Sequence, residues 1–290
     1  MLLCTRCKKR TAVVFASNGL NGQDPKGPVS YTHLDVYKRQ AVYAAVFSPT
    51  GTSQKGAWAI ASALGEATLI DATCAPAPQQ GFTPEDLVVF GAPVYGGRVF
   101  QGALERLSAL RGQNTPCIVT VTYGNRDFDD ALLELTDFCR ERGFLPFAGA
   151  ALIGEHTYGA IQVGRPSPED LQQDAAFALE AWDDLQAGWQ EFTPPGNHPY
   201  KEGGKGGSFV PQTKDTCVHC GLCRRQCPMG AIAEDCTTID GERCISCFRC
   251  VKRCPVKAKG VFTPEYGQFA AAFSERLKEA KENRYFLPRK

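Results

Sequence analysis

No stretch of the 290 residues is apolar for long enough to cross a bilayer; the best runs are short pieces such as AVYAAVF at 41–47. The start lacks the succession of basic, apolar and small residues that marks a secretory leader. A GxxxxGK[ST] phosphate loop is missing, and so is a GxGxxG after a strand, so neither a nucleoside triphosphate nor a nicotinamide dinucleotide is implied. Only four histidines occur. His33, His156 and His198 stand without recognisable partners and are read as ordinary loop residues, whereas His219 lies inside a cysteine pair, where it can hydrogen-bond close to a metal ligand. No charge of one sign dominates either, the formal net charge being +1.

What the chain has in quantity is cysteine, fourteen in all. One pattern is spelled twice, as Cys217-x2-Cys220-x2-Cys223-x3-Cys227-Pro228 and as Cys244-x2-Cys247-x2-Cys250-x3-Cys254-Pro255. Three cysteines two residues apart wrap one corner of a cubane cluster, and the fourth, too far along to close the same cage, reaches across to the other cluster. The ligand sets are then Cys217, Cys220, Cys223 and Cys254 for one cluster, and Cys244, Cys247, Cys250 and Cys227 for the other. A zinc site pairs two CxxC units across a longer gap, and a disulfide scaffold belongs to small secreted domains, so neither fits. The segment from Lys214 to about Gly260 resembles the bacterial two-[4Fe–4S] ferredoxin module over all eight ligands. Thiols that must meet iron rather than one another imply a reducing compartment, and the expected location is the cytoplasm. Cys74, Cys117, Cys139 and Cys236 lack this spacing and are read as packed thiols.

Charge divides along the chain. Residues 41–192 hold 8 Lys+Arg and 19 Asp+Glu, a net −11; residues 193–290 hold 17 and 10, a net +7; residues 1–40 carry a net +5. Arg224, Arg225, Arg249, Lys252 and Arg253 are interleaved with the cluster cysteines, which favours an acidic protein surface, the chain's own first domain included, over nucleic acid.

From Ala41 short apolar strands alternate with amphipathic segments, the pattern of an α/β domain with a parallel sheet. Five strands are expected at 41–47, 67–70, 86–92, 116–122 and 144–153, with helices near 53–64, 100–111, 127–142 and 168–189. Five strands in about 150 residues suit a flavodoxin-like sheet of order 2-1-3-4-5 over residues 41–192. Residues 193–213, rich in Pro and Gly, read as a linker to an α+β ferredoxin-like domain at 214–262. Residues 263–290 are expected to form a C-terminal helix over 264–284, with Phe269, Phe273 and Leu277 on one face. The first forty residues look foreign: MLLCTRCKKRTAVVF resembles the start of a zinc-binding segment of some Clp-type ATPases but offers only Cys4 and Cys7, and 29–40 resembles translated sequencing-adaptor sequence. Residues 1–40 are therefore expected to be a non-native extension.

The first strand runs into Ser48-Pro49-Thr50-Gly51-Thr52-Ser53, ahead of a helix. Hydroxyls, a glycine and backbone N–H groups at a helix start can wrap a phosphate. This loop resembles the flavodoxin FMN-phosphate loop (S/T)-x-T-G-x-(S/T), with Ser53 in place of the usual last threonine. Two loops with an aromatic beside glycine follow strands three and four, at 92–98 and 122–126. They resemble the two flavin-ring loops of flavodoxins, which implies that Tyr95 and Tyr123 stack on the ring while Pro93, Gly96, Gly97, Gly124 and Asn125 approach its edge. Arg98 and Arg126 fit flavin, substrate or partner contacts and solvated surface positions equally well.

Residues 41–290 are thus similar to the bacterial flavodoxin–ferredoxin fusion family. The resemblance implies electron transfer between FMN, two [4Fe–4S] clusters and an external protein donor or acceptor. Two alternatives remain: a flavin-dependent reductase of a small molecule, which would turn over candidate acceptors by itself, and a non-redox metal-binding interaction protein, which would hold zinc or nothing and no flavin.

Overall fold

The structure, a computed structural model, describes residues 2–3, 10–11 and 41–288 apart from 189. It divides into two units, Met1–Arg39 and Gln40–Lys290. Of the first unit, strands Leu2–Leu3 and Arg10–Thr11 pair antiparallel; Cys4, Cys7 and His33 lie outside the described residues.

In the second unit, five strands pair in parallel: β1 (Val42–Val46), β2 (Ala67–Asp71), β3 (Leu87–Tyr95), β4 (Thr115–Tyr123) and β5 (Phe144–Ile153). Their order across the sheet is 2-1-3-4-5, and a sixth strand, β6 (Arg284–Phe286), lies antiparallel on the β5 edge. Continuous apolar runs such as LVVFGA suit strands covered on both faces. Successive side chains alternate accordingly. Val42, Ala44 and Val46 of β1 and Leu87 and Val89 of β3 face a core shared with Phe177 and Trp182. Ala45, Phe47, Val88 and Phe90 face a second core on the other side, with Leu107 and Leu135.

Helices α1 (Thr52–Leu64) and α4 (Pro168–Ala187) cover the first face, and α2 (Gln101–Leu107) and α3 (Ala131–Arg140) the second. Ser167 caps α4 in a capping box with Asp170, which fixes where that helix begins. The α2 helix stops short of the expected 111, because Leu110–Gly112 leaves it to pair with Gln80–Phe82.

The cysteine-rich part contains two one-turn helices, α5 (Leu222–Arg225) and α6 (Arg249–Lys252), each carrying the third cysteine of its motif. Strands Gln212–Thr213 and Lys259–Gly260 tie its ends together. It packs onto the α2/α3 face, where Ile245 enters the core with Met229 and Cys247 against it.

The last element, α7 (Pro264–Arg276), is shorter than the expected 264–284 helix. The chain turns back instead, because the remaining residues have partners elsewhere. Asn125 donates to the carbonyls of Leu277 (2.9 Å) and Glu279 (2.6 Å) and accepts from Lys281 N (3.1 Å). Asn283 accepts from Ile153 N at 2.8 Å, and β6 follows. In β6, Tyr285 stacks on Phe177 and donates to Asp174 at 2.7 Å.

Asp174 is fully buried with one oxygen unpartnered. Burial pushes its carboxyl up to about 7 in spite of hydrogen bonds from Tyr285 and Asn283. The folded value lies above the ordinary 3.8, so the folded state is favoured fully below about pH 4 and this contribution is lost as pH rises through 7. We expect denaturant stability to drop between pH 5 and pH 8, and Asp174→Asn to flatten that drop; an unchanged pH profile in the variant would place the ionisation elsewhere.

Candidate functional site

At the carboxyl ends of the strands, beside the point where strand order reverses, the molecule opens a cavity of about 340 Å³. This is where open α/β sheets place their ligands, and the size falls within the range of small-molecule pockets.

One end is the 48–53 loop. Ser48 N donates to Thr73 Oγ1 at 2.8 Å, and Ser48 Oγ accepts from Gln54 N at 3.0 Å, which bends the loop over the start of α1. Gly51, at φ 86°, sits at the N-cap position, where no side chain caps the helix. With Gln54 N taken by Ser48, the N–H groups of Thr52 and Ser53 are left for a ligand, and a helix start of this kind favours an anion. Ser48, Thr50, Thr52 and Ser53 line the cavity. Thr122 lines it as well, and its hydroxyl oxygen is buried without a partner. A bound polar group would satisfy it.

Pro93, Tyr95, Gly96, Tyr123 and Gly124 also line the cavity, whereas Gly51, Gly97 and Asn125 do not. Gly51 shapes the loop from behind. Gly97 (φ 89°) lies against Asp129, and the Asn125 side chain is committed to the C-terminal turn. Arg98 belongs to a structural network: it forms a two-pronged pair with Glu134 (2.8 and 2.5 Å), whose carboxylate also accepts from Val99 N and Gln101. Arg126 pairs with Asp129 at the surface.

Three segments without a motif complete the walls. From the loop after β5 come Glu155, His156 and Tyr158. Burial holds the His156 imidazole down to about 4, so it is neutral; Tyr158 N donates to its Nδ1 at 2.8 Å, which leaves the proton on Nε2. Tyr158 sits among Phe209, Phe248, Tyr266 and Phe269. From the stretch expected to be a linker come Lys205, Gly206 and Gly207. That stretch is held in place: Gly204 N donates to Tyr95 O (2.8 Å), Gln101 N to Gly204 O (3.0 Å), and Lys201 N to Asp130 (2.8 Å).

The third segment is Ile245 and Ser246, from between Cys244 and Cys247. Ser246 Oγ donates to Gly207 O at 2.9 Å. Behind these two residues lies a small apolar chamber lined by Cys227, Cys244, Cys247 and Cys250 with Ile232, Ile239 and Phe248. Cys227, from the first motif, thus joins the three leading cysteines of the second. Burial, with the neighbouring thiols adding to it, pushes Cys247 up to about 11 and Cys250 up to about 12. Thiols in such a setting lose their protons to a bound metal rather than to water. Tyr95 lines the cavity and packs against the same core as Cys247, and burial raises its phenol.

Cys217, Cys220 and Cys223 are more open, Cys220 being exposed. Each fourth cysteine accepts a backbone N–H four residues on, Cys227 from Ala231 (3.3 Å) and Cys254 from Ala258 (3.2 Å). Against burial, such N–H groups hold the Cys254 thiol below its ordinary value. Every one of the eight cysteines is free of disulfides. Eight soft thiolate donors fit iron–sulfur clusters.

Residues 210–255 match the family model of a 4Fe–4S dicluster domain. The chain thus joins a parallel sheet of order 2-1-3-4-5, the flavodoxin-like order, to a segment that matches a 4Fe–4S dicluster domain. Solved structures similar to the sheet portion include a flavodoxin from the domain Archaea (14% identity, TM-score 0.37, covering 51% of this chain and 99% of that one). Another is oxidised Flavodoxin 2 from Bacillus cereus (14%, TM-score 0.36, 50% and 99%). Among curated proteins no match is found. Among the described residues no helix is long and apolar enough to cross a membrane.

Proposed function

We propose that the protein is an electron-transfer flavoprotein that binds FMN in the cavity and two [4Fe–4S] clusters on the eight motif cysteines, and that exchanges electrons with a protein partner. The reading is carried by one observation: Ile245 and Ser246 are at once the wall of the cavity and the link between Cys244 and Cys247. When bound, FMN exchanges one or two electrons and each cluster one, so the pair couples two-electron to one-electron chemistry.

The chain supplies position. Ser48, Thr50, Thr52 and Ser53 with the α1 N-terminus would hold the phosphate, and Tyr95 and Tyr123 would flank the ring. His156 would offer its Nε2 proton as a fixed hydrogen-bond donor. Cys244, Cys247, Cys250 and Cys227 would hold the cluster nearer the flavin; Cys217, Cys220, Cys223 and Cys254 would hold the outer one, where exposure suits exchange with a partner. Residues 41–192 and 214–262 carry these two tasks, and residues 1–40 neither.

Anaerobic quantitation of iron, acid-labile sulfide, zinc and flavin tests this. About eight iron, eight sulfide and one FMN per chain are expected. Zinc without flavin would overturn it, and four iron would remove one cluster.

A further inference from the structure

Arg249 lies between two cluster cysteines, is 8% exposed, and is the one residue of the α6 turn that is buried. Its Nη1 donates to the carbonyl of Pro49 at 2.5 Å, near the start of the 48–53 loop, and its Nε is buried with no partner. Neighbouring cations of the same module meet carboxylates, Arg224 with Glu234 (2.8 Å) and Lys252 with Glu155 (2.7 Å). Among the described residues Arg249 forms no such pair. A buried guanidinium with only a carbonyl for company is costly, so an anion is needed beside it. Arg249 lines the Cys227/244/247/250 chamber.

We propose that Arg249 is a positioning residue that couples the two sites: its counter-ion is the negatively charged thiolate cluster in the chamber, and its bond to Pro49 O sets the shape of the phosphate loop. Filling the chamber fixes the guanidinium, and the fixed guanidinium holds the loop open for a phosphate-bearing flavin. The flavin's phosphate, and not its ring, is the part that depends on Arg249. This rests on the function proposed above.

The test compares FMN with riboflavin, which lacks the phosphate, on the intact anaerobic protein with iron content matched. In Arg249→Gln the affinity for FMN should fall about tenfold, the scale of losing a charge-assisted hydrogen bond, while riboflavin affinity stays within about twofold. The midpoint potential of one cluster should move to more negative values, because a cation that stabilised the added electron is gone. Arg249→Lys, which keeps the charge, should keep the potential. Should Arg249→Gln fail to take up iron, Arg249→Lys decides through the flavin pair, since the shorter reach and single ammonium group cannot both face the chamber and hold Pro49 O, and so should weaken FMN alone. Equal losses for both flavins, no change in FMN affinity, or an unmoved potential in iron-replete Arg249→Gln would each overturn the coupling. Wild-type protein that binds neither flavin would instead refute the FMN reading itself.

Discussion

Cys227→Ser is expected to remove about four of the eight iron atoms, and to remove them from the cluster of the second motif rather than from that of its own. The reason is placement. Cys227 belongs to the first motif in sequence but shares an apolar chamber with Cys244, Cys247 and Cys250. Double variants read the assignment directly. Cys227→Ser combined with Cys247→Ser should lose no more iron than either alone, because both strike one cluster. Cys227→Ser combined with Cys220→Ser should lose nearly all of it. Iron and sulfide analysis with low-temperature paramagnetic spectra of the reduced protein would score each case. The reverse pattern would mean that each motif closes on itself and that the cross-over is wrong.

The second large effect is expected at Gly124. A Cβ there would fall 2.6 Å from Cγ of His156 and closer still to Cδ2. That ring cannot give way easily, since it packs edge-on to Phe273 at 5.0 Å and its Nδ1 is bonded to Tyr158 N. Gly124→Ala must therefore push His156 or the 122–126 loop into the cavity. Overpacking of this kind costs about 1–3 kcal/mol, which corresponds to roughly fivefold to 150-fold weaker flavin binding. Fluorescence titration of apo-protein with FMN would measure it, with iron content as a control for folding. An unaltered affinity would show that the flavin ring lies elsewhere.

Much of this arrangement was legible in the sequence, for physical reasons that differ by element. Of the five strands, β1, β3 and β5 announced themselves most clearly because they are buried on both faces and so are almost wholly apolar, whereas the edge strand β2 is largely exposed. The 48–53 loop stood out because a phosphate site at a helix start would need small hydroxyl residues and a glycine in consecutive positions, and the structure places most of the loop on the cavity wall. The eight motif cysteines stood out most of all, because cubane geometry would fix just such a spacing. His156, Tyr158 and residues 205–207 gave no comparable signal. They reach the cavity through tertiary packing, and Gly-rich sequence around 203–207 reads equally as a flexible tether or as backbone that must pass close to other backbone. Here the second holds, with Gly203 against Gly96 O and Gly206 against Ile245. Asn125 and Arg98 were read by their neighbours in sequence, whereas their partners are the C-terminal turn and a buried glutamate in α3. Two buried acids, Glu134 in α3 and Asp130 at its N-cap, were the available clue: a buried charge demands a cation or several N–H groups. The division of charge pointed correctly to contact between the basic module and the rest, as Lys252 with Glu155 illustrates. The most buried contact, Arg249 with Pro49, involves a carbonyl and no opposite charge at all.

The chain's return to the sheet as β6 alters what kind of object the cysteine-rich segment is. It leaves the sheet portion after α4 and rejoins it beside β5, so it is moored at both ends rather than trailing from one. A trailing domain would find the cavity by diffusion and would slow in a viscous medium. A moored one would have no search to make: the exchange proposed above would be set by fixed separation, and only the encounter with an outside partner would remain a matter of collision.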